Sequence, residues 1–191
     1  MKCNKKVIAG AFLACLTSHV FAAEMNAGKI HFTGQIIEPS CTIEGDNGTD
    51  STVPLGTFPT SLFGTVGKES KLESFAIKLV DCPLASDGLA AVQLTFNGPT
   101  TLTGSSTLLD VSKITTTGEK AATGIGIAIS PDDDDTAFIK VDGSENQVKV
   151  DLPTTEGDAV TAYFKARYKS FAETVTAGPA DADLTVNILY R

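Results

Sequence analysis

The side chains that could do chemistry are few and scattered. Histidine occurs at His19 and His31, and His19 belongs to an N-terminal segment that is expected to be cleaved. His31 then stands alone, which excludes a multi-histidine metal site and a histidine-based triad anywhere away from it. Aspartate and glutamate total 23, but no Gly-rich phosphate loop or nucleophile elbow accompanies them. On an exported β-domain such carboxylates are expected as solvated faces, and a hydrolase would need two of them convergent in a pocket. Asp132-Asp133-Asp134-Asp135 lacks the interleaved ligands of an EF-hand loop and reads as a surface loop between strands, with calcium binding the rival reading. Tryptophan, a frequent sugar-stacking platform, is absent from the sequence. No enzymatic role, cofactor or metal is therefore expected.

The elements that must position any site begin after a targeting segment. Lys2, Lys5 and Lys6 form a positive start, an apolar run spans Val7 to Leu16, and Val20-Phe21-Ala22 suits signal-peptidase cleavage after Ala22. The apolar run is too short for a permanent membrane span. A lipoprotein signal at Leu13-Ala14-Cys15 is the rival reading, and Phe12 and Leu13 fit it poorly. Residues 1–22 are thus expected to be a signal peptide, leaving 169 of the 191 residues, enough for one domain with a substantial core. Loss of three lysines from 15 basic residues, against 23 acidic ones, leaves a charge of −11. Nucleic-acid phosphates would repel such a surface, so no nucleic-acid partner is expected.

Cys3 and Cys15 leave with the signal, and Cys41 and Cys82 remain. An even pair in an exported chain is expected to form one disulfide, with two free thiols the rival reading. In the chain-entropy description, a bridge closing such a loop contributes about 4 kcal/mol.

Alternation with period two then recurs along the chain, as strands require. It covers Ile30, Phe32 and Ile36; Phe75, Ile77 and Leu79; Val92, Leu94 and Phe96; Ile125, Ile127 and Ile129; Val148, Val150 and Leu152; and Phe164, Ala166 and Tyr168, with Tyr163 on the other face. Turn signals such as Asn97-Gly98-Pro99 separate the runs, which indicates a β-sandwich or barrel. Thr60 to Gly64 offers a single helical turn at most. The last run, Leu184, Val186, Ile188 and Tyr190, gives a strand with a full apolar face that needs a neighbour to cover it. At the other end, Asn26, Gly28, Ile30, Phe32 and Gly34 share one face if residues 23–34 are extended. An ordinary first strand with a frayed start is the alternative there.

These blocks resemble a known family in their order. Gly28-Lys29-Ile30-His31-Phe32-Thr33-Gly34-Gln35-Ile36-Ile37 leads to Cys41-Thr42-Ile43. Phe75-Ala76-Ile77-Lys78-Leu79-Val80-Asp81-Cys82 holds the second cysteine. Phe164-Lys165-Ala166-Arg167-Tyr168, Thr176 to Asp183 and a penultimate Tyr190 follow. Together they resemble the structural subunits of chaperone–usher fimbriae, type 1 major-subunit-like. The resemblance implies an all-β, incomplete immunoglobulin-like sandwich that ends at its sixth strand and lacks the last, completed by a donor strand from another chain. It implies a donor extension over residues 23–34, with Gly28, Ile30 and Phe32 as its contact residues, and a pilin domain over 35–191. It implies an acceptor edge and chaperone-recognition strand at Leu184, Val186, Ile188, Tyr190 and Arg191. The implied partners are a periplasmic chaperone, an outer-membrane usher and neighbouring subunits in a head-to-tail homo- or hetero-polymer, with the fimbrium exported through the periplasm to the cell surface. Arg191, a cation beside the terminal carboxylate, and the acidic stretch 131–135 depart from the family's pattern. The alternative from another functional class is a self-complemented secreted immunoglobulin-like binding module, in which residues 23–34 pair within their own chain.

Overall fold

The structure, a computed structural model, describes residues 28–191. The expected signal peptide and the start of the expected donor extension lie outside the described residues. The chain divides into two units, residues 1–35 and 36–191.

The described part of the first unit, residues 28–35, holds no helix or strand. Its alternation is therefore not expressed as strand pairing, because alternation creates a face but supplies no ladder partner. Ile30 and Phe32 are 82% and 92% exposed.

The second unit is a two-sheet sandwich. Its strands are β1 (Thr42–Glu44), β2 (Glu73–Val80), β3 (Ala91–Asn97), β4 (Leu109–Asp110), β5 (Ile125–Pro131), β6 (Val148–Asp151), β7 (Val160–Ser170) and β8 (Thr185–Tyr190). One sheet has the order β1-β2-β7-β5-β4 and the other β6-β3-β8, and every ladder is antiparallel. One 3-10 turn, Thr60–Phe63, drops Phe63 into the core. The alternating residues meet between the sheets. Val92, Leu94 and Phe96 of β3 face Ile77 and Leu79 of β2, Ile127 and Ile129 of β5, and Phe164 and Ala166 of β7 in one buried cluster. The Phe164 ring stacks on Phe75 and meets Phe96 edge-on, at centroid separations of 5.4 and 5.7 Å.

Eight strands form among the described residues where the resemblance implies six. The extra ones include β1 and β4, of three and two residues. At the end of β4 the buried Asp110 carboxylate accepts the amides of Leu102 and Thr103, both at 2.8 Å, and so folds the preceding loop back on itself. The Cys41–Cys82 disulfide ties the residue before β1 to the loop after β2.

The acidic loop has a structural role on the outer face of the larger sheet. Lys165 Nζ lies 2.9 Å from Asp135 Oδ1 and donates to the Asp132 carbonyl at 2.7 Å. The Asp135 side chain and then the Asp132 charge hold the Lys165 ammonium above its ordinary pKa. Arg167 is buried: Nη1 donates to Ser130 Oγ at 2.9 Å and Nη2 to the Asp135 carbonyl. Its Nε lies 2.8 Å from Glu69 Oε2, an ion pair whose angle makes no hydrogen bond. Phe138 lies over both Arg167 and Lys169. Asp132 and Asp135 are thus tied to Lys165 of β7, Asp134 accepts the amide and hydroxyl of Thr136, and no group of three or more His, Cys, Asp or Glu is arranged to hold a metal among the described residues.

Candidate functional site: an apolar trough beside an unpaired strand

β8 is the edge of its sheet. It pairs with β3 in register from Val92↔Tyr190 to Asn97↔Thr185, and its other edge meets no strand among the described residues. Leu184, Val186, Ile188 and Tyr190 point towards the core but remain only partly buried. An edge strand with this much apolar surface presents both a row of free backbone groups and a hydrophobic strip.

A cleft of about 710 Å³ opens beside the first half of this edge. One wall is Ala182 to Val186, and the opposite wall is Ile43 with residues 49–53 and Leu55. Its floor is the interior of the larger sheet: Phe75 and Ile77 of β2, Ile127 and Ile129 of β5, and Ala166 of β7. The two sheets are therefore incompletely covered where one more strand would fit.

A second cleft, of about 680 Å³, continues the first beyond the start of β8. The order of lining residues establishes the continuity. Ile125 lines the second cleft and Ile127 the first, on one face of β5; Tyr168 and Ala166 do the same on β7. Gly56 follows Leu55, and Asp181 precedes Ala182. Phe58, Val175 and Pro179 add apolar surface, and Thr116, Glu119 and Lys120 a polar rim.

The segment between β7 and β8 is held firmly along this trough. Ala122 N donates to the Pro179 carbonyl at 2.8 Å, and Tyr168 Oη donates to the Ala180 carbonyl at 3.0 Å. Burial, then the Asp181 charge, raises the Tyr168 phenol above its ordinary pKa. Ser112 and Asp181 exchange backbone hydrogen bonds at 2.7 and 3.0 Å. The Asp181 carboxylate accepts the amides of Ile114, Thr115 and Thr116 at 3.0, 2.7 and 2.8 Å and the Thr116 hydroxyl at 2.6 Å. That set of donors, the Thr116 hydroxyl first, holds its carboxyl well below the usual carboxylate range. Gly178 passes so close to the Lys120 carbonyl that a Cβ would collide with it.

At the opposite end, Tyr190 Oη accepts the Cys41 amide at 2.8 Å. Arg191 reaches Glu145, with Nη1 2.5 Å from Oε2. Of the residues singled out in the sequence, the second unit brings Leu184 and Val186 to the first cleft and Tyr190 to the disulfide. Gly28 adopts φ 150°, a backbone angle open to glycine. The role of Asp181 and the second cleft were not legible, since the partners come from segments far apart in sequence.

Comparison with known proteins accords with this geometry. The Fimbrial protein family matches residues 30–191. A type-1 fimbrial protein subunit of Serratia marcescens is 38% identical over 191 residues, covering 98% of this chain and 99% of that protein. Long polar fimbria protein A of Salmonella typhimurium is 31% identical, covering 98% of this chain and 97% of its own length. The crystal structure of the P pilus rod subunit PapA superposes with a TM-score of 0.61 at 24% identity, over 80% of this chain and 99% of that one, a likeness of fold.

Proposed function

This chain belongs to the fimbrial protein family and is a structural subunit of a surface fimbrium, and from that premise we propose that it polymerises by donor-strand exchange. The first cleft is the acceptor. The single observation that carries this reading is the unpaired edge of β8, whose half-buried Leu184 and Val186 border an opening onto core residues Ile77, Ile127 and Ile129. Residues 23–34 of another copy, or of a related subunit, are the donor. Ile30 and Phe32, exposed in their own chain, supply the two large side chains for the cleft, and Gly28 occupies the place where the backbone must come closest.

The donor runs antiparallel to β8. Each existing ladder is antiparallel, and the Cys41–Tyr190 hydrogen bond supports a donor segment that departs near the C-terminal end of β8. Entry into the neighbour at the start of its β8 then gives a head-to-tail, open-ended fibre. Ile30 opposite Val186 and Phe32 opposite Leu184 set both large side chains in the first cleft. Their burial contributes about 3–6 kcal/mol gross, and each new ladder hydrogen bond about 1 kcal/mol net. This is β-strand addition, in which main-chain hydrogen bonds give affinity and pockets for alternate side chains give specificity; pilin donor strands are a standing example of it.

Before assembly, the same edge requires cover against aggregation. A periplasmic chaperone supplies it by lending a strand along Leu184, Val186, Ile188 and Tyr190, and an outer-membrane usher receives the complex. Phe32→Asp tests the assignment: polymer should be lost while chaperone binding persists. Equal loss of both would mean that the donor and acceptor roles are misplaced.

A further inference from the structure

Resting on the donor-strand reading above, we propose that Ile36 is a further anchor of one subunit on the next, and that its seat is the second cleft, between Phe58, Tyr168, Val175 and Pro179. Ile36 is 98% exposed in its own chain. In an extended segment it shares the face of Gly28, Ile30, Phe32 and Gly34, since side chains two apart point the same way. Antiparallel insertion carries the segment from the Tyr190 end of the acceptor towards the start of β8 and beyond it. With Phe32 opposite Leu184, Ile36 falls opposite Ala180, about 14 Å farther on at strand rise. Ala180 lines the second cleft, where the floor residues Ile125 and Tyr168 continue the faces of β5 and β7 that floor the first. An apolar side chain thus arrives over an apolar seat, on a wall that the Asp181 and Tyr168 hydrogen bonds hold in place. The partner is a second copy of this chain or a subunit with the same trough. The seat fixes the junction between bodies, whereas Ile30 and Phe32 fix the strand.

Full-length subunits carrying Ile36→Cys together with Ala177→Cys, a small exposed residue of the second cleft, test the seat. Oxidised polymer should keep a ladder of covalent multiples after boiling in SDS, and reduction should collapse it. Polymer that boils to monomer before reduction overturns the proposal, as does failure of this variant to assemble. Ile36→Asp provides a second reading: polymer should still form, with subunits released in denaturant about tenfold faster, and unchanged release also overturns it. Phe32→Asp runs beside them. If it polymerises normally, the donor-strand reading fails, a result distinct from the failure of the seat alone.

Discussion

The hydroxyl of Tyr190 accepts a hydrogen bond from the amide of Cys41 at 2.8 Å. The last strand is thereby fastened to the residue that also forms the disulfide, 149 positions earlier in the chain. The bond closes the end of the sandwich opposite the second cleft. Tyr190→Phe keeps the ring against the core but leaves the Cys41 amide without this acceptor. Denaturant unfolding should show a loss of about 1 kcal/mol, and unchanged stability would mean that water replaces the hydroxyl at no cost.

The disulfide should contribute more. It joins residues separated by 41 positions, and loop-closure entropy for such a span corresponds to about 4 kcal/mol. Paired Cys41→Ser and Cys82→Ser substitutions should lower the unfolding free energy by that order. A loss below about 1 kcal/mol would show that the reduced chain already holds these segments together.

Asp181 should give the subunit an acid-sensitive component. Its carboxyl is depressed below the ordinary 3.8 by hydrogen bonds from Thr116, Thr115 and Ile114. A depressed folded-state pKa stabilises fully above the unfolded value and is lost as the pH falls through the folded one. Stability should therefore decline below pH 3.8, and Asp181→Asn should flatten that part of the profile. The group lies near the surface, so solvent screening limits the size of the effect. An identical slope in both proteins would assign the acid sensitivity to other carboxylates.

Much of the architecture was written in the alternation. Val92, Leu94 and Phe96, or Ile125, Ile127 and Ile129, mark strands because one face is buried and the pattern repeats over several residues. The single turn at Thr60–Phe63 was equally visible. β1 and β4 were not, since two or three residues establish no period. Arg167 stands at an outward position of β7 and resembles a surface cation, yet it is 2% exposed. Its cover comes from Asp135 and Phe138, whose approach depends on how the loop after β5 folds back. The last strand was legible from Leu184 to Tyr190, but the trough beside it was not, because its floor and walls come from β2, β5, β7 and the loops around residues 50 and 180.

The covered cation yields its own expectation. Glu69→Gln removes the carboxylate facing both Arg167 and Lys169 and leaves a buried guanidinium less compensated. Stability should fall by about 2 kcal/mol, less than for a fully buried pair because Glu69 is partly exposed. Adding Arg167→Met should restore most of it in a double-mutant cycle. Additive losses would mean that the two side chains are not coupled.

The claim on which the account turns is that the trough beside β8 is filled by another molecule's leading segment. The most direct measurement is titration of a subunit lacking residues 23–34 with a synthetic peptide of that sequence, followed by thermal unfolding and by size. The account predicts that the truncated subunit forms no polymer alone, binds one peptide per chain and unfolds at a markedly higher temperature once it is bound, with Phe32→Asp peptide inert. Polymer of normal length from the truncated subunit, or a peptide that leaves its unfolding unchanged, would contradict it.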